Sequence, residues 1–408
     1  MKGPSDNLSP VSPSSLTVDD FQLLRVIGRG SFGKVLLVRG KRDKRVYALK
    51  ILLKSHVVAK NQVEHTKSER KILEEMDYPF LCKLEFAFQT DDKLYLGMPF
   101  LSGGPLFNHL QQCRRFTEDR ARFYCAEVVL GIGYLHKHNI IYRDMKPENL
   151  LLDREGHVVI TDFGLSKRTT ENRLQYQTIC GTPEYVAPEV LSGSPYGQSV
   201  DWWSVGTLLY EMIAGYPPFY DKNRKSMFTK IINGKLRFTP FFSIQACNII
   251  TCLLDRHPQT RLGGGPSDAE EVKKHPFFAG IDWEALERKE VPSPWKPCVH
   301  GETDTTYFNH KYTIADIDEE PSVVVVLLRC EIDNEYIEFA QFSRFYVPKS
   351  SFQVSFLLQT QSYHSNSSYS SSSIFVSSSP SSSFPFSSFA SSTSISFCIA
   401  SHCCLRIS

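Results

Sequence analysis

The residues best suited to chemistry in this 408-residue chain fall in one short run, Tyr142-Arg143-Asp144-Met145-Lys146-Pro147-Glu148-Asn149, with Asp162-Phe163-Gly164 following. Their types suit phosphoryl transfer. Asp144 can accept the proton of a hydroxyl acceptor, Lys146 can offset charge on the moving phosphoryl group, and Asn149 and Asp162 offer the oxygen ligands that Mg²⁺ prefers. Upstream, Gly28-Arg29-Gly30-Ser31-Phe32-Gly33-Lys34-Val35 sets glycines where a backbone turn can approach phosphates closely. The same spacing suits a dinucleotide fold and a dinucleotide-dependent oxidoreductase. There, however, the fingerprint opens a helix, whereas Lys34-Val35-Leu36-Leu37-Val38 continues as a strand. Lys50, in Tyr47-Ala48-Leu49-Lys50, can neutralise two phosphates if a carboxylate fixes it, and Glu69 is the candidate. On these residues alone Lys50 is equally well a surface cation and Glu69 part of a solvated helix face.

The elements that must position these groups follow from periodicity. From Asp20 onward FQLLRVIG, KVLLVRG and VYALKILL are β-branched and apolar runs, with a charged turn KRDKR between the last two. Residues 61–76 alternate charge with apolar residues at helical spacing and predict one amphipathic helix. FAFQ and KLYLGMPF are further strands. After SGG the character changes: from Pro105 to about Phe278 most segments are helical, with short strands near LLLD and HVVI. A β-rich part followed by an α-rich part puts the natural crevice at the junction, around Met98 to Gly104. Residues 1–16 form a Ser- and Pro-rich lead, and in residues 279–349 VVVVLLRC is the strong strand signal.

Composition excludes several classes. Lys plus Arg total 46 against 44 Asp plus Glu, a net charge of +2, so the chain lacks the basic field of a dedicated nucleic-acid binder. No apolar run approaches the ~20 residues of a membrane span, and the first residues do not form a signal peptide. Eleven cysteines are scattered without metal-ligand spacing, which fits a reducing compartment, so the cytoplasm is expected, with the nucleus also open. The last acidic residue is Glu338, and residues 347–408 mix abundant Ser with Phe, Ile and Cys. Translated non-coding sequence and a species-specific disordered extension are both open for that tail.

IGRGSFGKV, YALK, YRDMKPENLLL, TDFG, CGTPEYVAPE and VDWWSVGTLLYEM resemble the eukaryotic protein kinases. Tyr142 in place of the commoner His, CGTPEY, and PFF–DW after Lys274-His275 are similar to the AGC group, and within it to the Akt and serum/glucocorticoid-regulated kinases, including fungal Ypk relatives. The resemblance covers about residues 18–345. It implies an α+β, bilobal kinase fold with an AGC-type C-terminal tail, ATP as donor, Mg²⁺ as metal and Ser or Thr on protein substrates as acceptor. The implied organisation is a flexible lead at 1–19, a kinase domain at 20–278 (small lobe about 20–100, large lobe about 101–278), an AGC tail at 279–346 and a low-complexity extension at 347–408.

Carried over by residue, Ile27 to Val35 cover the nucleotide, Ala48 and Val35 line the adenine pocket, and Met98 is the gatekeeper. Pro99 and Leu101 supply hinge backbone groups, Pro99 through its carbonyl because it has no N–H. Lys50 pairs with Glu69; Asp144 and Lys146 are catalytic; Asn149 and Asp162 hold metal; Phe308 approaches the nucleotide from the tail. Glu189 pairs with Arg261, and Asp201 supports the catalytic loop. Thr178 is the activation-loop phosphosite of an upstream kinase, whose phosphate would collect Arg143, Lys167 and His65. Phe339-Ala340-Gln341-Phe342-Ser343 resembles the hydrophobic motif, with Ser343 a second phosphosite, while Glu320-Pro321 stands at the turn motif. Glu148 and Glu211 match carboxylates that read basic residues before the acceptor, but Pro105 replaces a third. A pseudokinase scaffold is the alternative, motivated by Pro99, Pro105 and the altered tail.

Overall fold

The computed structural model describes residues 16–30, 33–169, 176 and 180–317. Ser31, Phe32, Thr178, Glu320, residues 339–343 and VVVVLLRC therefore lie outside the described residues. The first part is a five-stranded antiparallel sheet built from β1 (Phe21–Arg29), β2 (Gly33–Gly40) and β3 (Val46–Leu53), joined later by β4 (Phe86–Gln89) and β5 (Lys93–Pro99), in the order β1-β2-β3-β5-β4. The strands form where β-branched and aromatic residues can fit a pleated, half-buried surface. Phe21, Leu36, Tyr47, Leu49, Phe86, Phe88 and Tyr95 pack as a cluster of their own on this sheet.

Two helices follow β3. The six-residue α1 (Lys54–Ala59) was not expected from the sequence, because Val57-Val58 and the preceding apolar strand mask its period. The amphipathic helix appears as α2 (Val63–Glu75), burying Thr66, Glu69, Ile72 and Leu73 on one face.

Residues 100–103 cross to the helical part. It contains β6 (Gly104–Pro105), α3 (Leu106–Cys113), α4 (Glu118–Lys137), β7 (Ile140–Ile141), β8 (Leu150–Leu152), β9 (Val158–Ile160), β10 (Lys167–Arg168), α5 (Pro188–Leu191), α6 (Ser199–Ala214), α7 (Arg224–Asn233), α8 (Ile244–Leu253), α9 (Asp268–Lys273), α10 (Trp283–Glu287) and α11 (His310–Thr313). Thr117 caps α4 by accepting from Arg120 N, and Gly215 ends α6 in the left-handed conformation at φ 88°. α6 is buried on nearly every side, which explains why its sequence is apolar without a polar stripe.

The largest core cluster runs from Leu52 and Ile72 through Phe80 and Leu81 to Trp202, Leu253 and Phe278, so the two lobes share one apolar interior. The backbone reinforces the join: Cys82 N donates to Ile160 O at 2.8 Å and Ile160 N to Phe80 O at 2.8 Å. Beyond α10 the chain returns along the crevice. Tyr307 packs against His109, Asn108 Nδ2 donates to Tyr307 O at 2.7 Å, and α11 rests on β1. Gly104, at φ 68°, permits this return, since a Cβ there would lie 2.6 Å from Tyr307 O. Among the described residues no helix is long and apolar enough to cross a membrane.

Candidate active site

β3 carries Lys50 and α2 carries Glu69 to the same point beneath the glycine turn. Lys50 Nζ lies 2.6 Å from Glu69 Oε1 and 3.2 Å from Asp162 Oδ1. Glu69 is only 4% exposed, which excludes the reading of a solvated helix face and a surface cation. Burial disfavours the Lys50 charge, yet Asp162 and Glu69 together hold its ammonium above the ordinary lysine range. Lys50 in turn keeps the Asp162 carboxyl low. Gly33 ends the turn where a side chain is impossible: a Cβ would fall 1.8 Å from Ile51 O. Gly30 N closes the loop onto Gly33 O at 2.9 Å.

The second group is local in sequence. Asp144, 7% exposed, receives Lys146 Nζ at 2.8 Å and Asn149 Nδ2 at 2.8 Å on Oδ2, and Thr182 Oγ1 at 3.2 Å on Oδ1. Burial pushes its carboxyl up and Lys146 opposes this. Since Asn149 Nδ2 also serves Asp144 O, the amide oxygen of Asn149 is the atom left for a cation. The half-exposed Asp162 carboxylate provides a second hard oxygen ligand, a donor set that fits a divalent metal ion.

Deeper residues hold this loop. Asp201, fully buried on α6, accepts from Tyr142 N at 2.7 Å and Arg143 N at 2.8 Å. Arg143 takes φ 66° and Asp162 φ 58°, a costly left-handed conformation that the surroundings must enforce. His136 bridges Asp201 at 3.0 Å and Asp268 at 2.9 Å, and Trp202 Nε1 secures Asp268 at 2.6 Å. Burial alone would lower the His136 pKa, but the two carboxylates push it up to about 9. His136 and Asp268 escaped the sequence reading: they lie far apart in the chain, each among ordinary charged neighbours and outside the motifs. Tyr142 joins this loop to the next, donating its hydroxyl to Thr161 O at 2.6 Å and meeting the Phe163 ring edge-on at 5.8 Å.

On the crevice's other wall, Ile27 and Phe308 pack together with Val35, Ala48 and Phe100, and Phe308 stacks on Phe100 at 5.4 Å. Ala48 pairs with Met98 and Tyr47 with Pro99 across β3 and β5, so Met98, Pro99 and Leu101 follow this wall into the crossing segment. Gly28, Arg29 and Lys34 lie on the paired β1–β2 strands, Lys34 Nζ donating to Ile317 O. Glu189 receives Arg261 through two bonds at 2.7 and 2.9 Å. Glu148 is exposed at the mouth, and Glu211 accepts from Tyr185 OH. Burial, with Glu148 and Glu184 nearby, pushes the Glu211 pKa up to about 7 against the opposing Tyr185 bond. Burial lowers the His65 pKa, and the charges of Lys167 and Arg143 lower it further.

A glycine-flanked β1–β2 turn next to a strand whose lysine is paired with a buried carboxylate, and a carboxylate–lysine–amide trio in a crevice between two lobes, define a protein kinase. The family profile of the protein kinase domain matches residues 21–278. A RAC family serine/threonine-protein kinase homolog from Dictyostelium discoideum is 49% identical over 319 residues, covering 78% of this chain and 70% of its own length. The akt-1 serine/threonine-protein kinase of Caenorhabditis elegans is 46% identical over 317 residues (78% of this chain, 59% of its own), and the human RAC-beta kinase 46% over 308 residues (76% and 64%). The chain belongs to the protein kinase family, in its AGC serine/threonine branch and most like the RAC (Akt) kinases. It spans under two thirds of the length of several of these relatives. Membership brings ATP and a divalent metal ion.

Proposed function

We propose that this chain transfers the γ-phosphoryl group of ATP to Ser or Thr hydroxyls of proteins with basic residues before the acceptor, and that phosphorylation of Thr178 by another kinase raises the rate. The observation that carries the reading is the convergence of the buried Lys50–Glu69 pair with Asp144, Lys146, Asn149 and Asp162 on one crevice. Asp144 accepts the acceptor's hydroxyl proton as its oxygen bonds to the γ-phosphorus and the bond to the β-phosphate oxygen breaks, releasing ADP. Lys146 offsets charge on the moving group, and Lys50, fixed by Glu69, holds the remaining phosphates. Asn149 and Asp162 are assigned to Mg²⁺, which when bound neutralises charge on the β- and γ-phosphates. The direct test is transfer of label from γ-labelled ATP to Ser/Thr peptides with and without upstream Arg. No incorporation into any peptide refutes the activity.

Substrate reading rests on Glu148 and Glu211. With a pKa of about 7, Glu211 gains its proton as pH falls through neutrality and loses its attraction for a guanidinium. The kcat/KM for an Arg-bearing peptide should therefore fall below pH 7, while that of the matched Ala peptide changes less. Parallel profiles for the two peptides overturn the assignment. Pro105 removes one carboxylate of the family pattern, so the preference for Arg is expected to be relaxed.

The regulatory reading is supported by the positive field that Lys167 and Arg143 create at His65 of α2, Arg143 being part of the catalytic loop. A phosphate adds nearly two negative charges, which Arg143 and Lys167 can collect and which would favour a proton on His65, coupling the activation loop to α2. Each charge-assisted hydrogen bond is worth about 1.5–3 kcal/mol. Thr178→Ala in the activated protein is accordingly expected to lower kcat/KM by ~10-fold or more. An unchanged rate, with Thr178 phosphate verified in the wild type by mass spectrometry, contradicts it.

A further inference from the structure

Residues 222–254 contain six Lys or Arg and no Asp or Glu, although the whole chain is nearly neutral. All six, Lys222, Arg224, Lys225, Lys230, Lys235 and Arg237, are exposed. Four of the five large hydrophobic side chains exposed among the described residues belong to the same region: Tyr216 (47%), Tyr220 (46%), Phe241 (48%) and Ile244 (84%). Contacts tie these parts into one face. Tyr210 packs against Tyr216, Phe238 and Phe242 and donates its hydroxyl to Arg237 O. The exposed Arg115 lies 3.7 Å over the Phe241 ring, and Lys230 reaches Tyr220 O. Arg114 and Arg115 adjoin Gly215, extending the cationic field across the α3–α4 loop. The acidic groups at its margins are engaged: Asp221 with Lys230 and Ser226, Glu118 with Ser243, Asp119 with Arg122.

We propose that this face, formed by the α3–α4, α6–α7 and α7–α8 loops with α7, rests on an anionic lipid bilayer. The cations are spread over four separate segments and converge on no pocket, so they match a surface of diffuse negative charge better than one directed acidic ligand. Basic side chains near such a surface each add to binding, and interspersed Tyr, Phe and Ile tips can enter the headgroup boundary, where aromatic residues are favoured. A protein that merely avoided aggregation would not place four of the five large hydrophobic side chains exposed among its described residues on its most basic face. None of the cations or apolar tips of this face is among the residues assigned to phosphoryl transfer.

The test uses the full chain and sedimentation with vesicles of phosphatidylcholine alone or with about 25% phosphatidylserine, at about 0.1 and about 0.5 M salt. Binding is expected to the mixed vesicles only and to weaken at the higher salt. Lys222→Glu/Arg224→Glu/Lys225→Glu should weaken it by about 100-fold. Phe241→Ser/Ile244→Ser should weaken it by about tenfold, since these tips supply the apolar part. Both variants alter exposed residues, so unchanged melting temperature and unchanged phosphorylation of a soluble peptide verify the fold. No binding by the wild type overturns the proposal, as does full binding by both variants. Tight binding to an acidic polyglutamate peptide with none to vesicles overturns it in favour of an acidic protein partner.

Discussion

Asp144→Asn should lower kcat for peptide phosphorylation by about 10²–10⁴-fold while leaving ATP affinity nearly unchanged. The substitution keeps the shape of the side chain, and Asp201 still holds the backbone on either side of the change through Tyr142 N and Arg143 N. What disappears is the carboxylate opposite Lys146 Nζ and Asn149 Nδ2, which on the proposed reading takes the acceptor's proton. The loss should fall on kcat rather than on nucleotide binding, because the proposed reading assigns Asp144 to the acceptor and Lys50 and Asp162 to the nucleotide. Rates are read by label transfer and ATP affinity by fluorescence titration. Equal residual rates in wild type and variant would mean that the chain is a scaffold and that the catalytic assignment is wrong.

The largest effect on stability is expected at Arg261. Its guanidinium is 1% exposed, grips Glu189 through two bonds, and donates to Ser199 O and Asp255 O at 2.8 Å each. Arg261→Ala leaves the Glu189 carboxylate buried with no cation and strips two carbonyls of their donor. Removing one member of such a pair costs about 3–5 kcal/mol. At roughly 2–4 °C per kcal/mol for a domain of this size, the melting temperature should fall by about 6–20 °C. Replacing Glu189 and Arg261 together by Met should cost much less, because no buried charge is stranded. If the single variant melts within about 2 °C of the wild type, the pair does not anchor the large lobe.

The legible parts of this protein are those whose information is local in sequence. Asp144, Lys146 and Asn149 lie within six residues, and the structure brings them together around one carboxylate. Strand and helix periods located the sheet and α2 because each buries one face, whereas α6, buried on nearly every side, was legible as a long apolar run. Glu69 had to be chosen from the several Glu of α2; its burial beside Lys50 now explains the choice. Of the clamp of Asp268, His136 and Asp201, only Asp201 was legible, through its motif; His136 and Asp268 lie far from each other in the chain, among ordinary polar neighbours that no motif marks. Thr182 lies in the legible CGTPEY run, but its reach to Asp144, 38 residues away, has no signature in the sequence. The short α1 was lost to β-branched residues that continue the strand pattern of β3. The basic face was invisible in the overall charge of +2, because acidic residues elsewhere cancel it in the sum.

The contact between Lys50, Glu69 and Asp162 has a thermodynamic consequence of its own. One ammonium joins a strand, a helix of the small lobe and a loop of the large lobe, so the position of α2 and the occupancy of the crevice belong to a single equilibrium. By reciprocity, whatever factor bound nucleotide contributes to keeping α2 against β3, any event that presses α2 inward returns to nucleotide affinity. On the proposed reading, a phosphate gathered by His65 at the start of α2 is such an event. Activation of this enzyme and its hold on ATP are then one free energy observed from two ends.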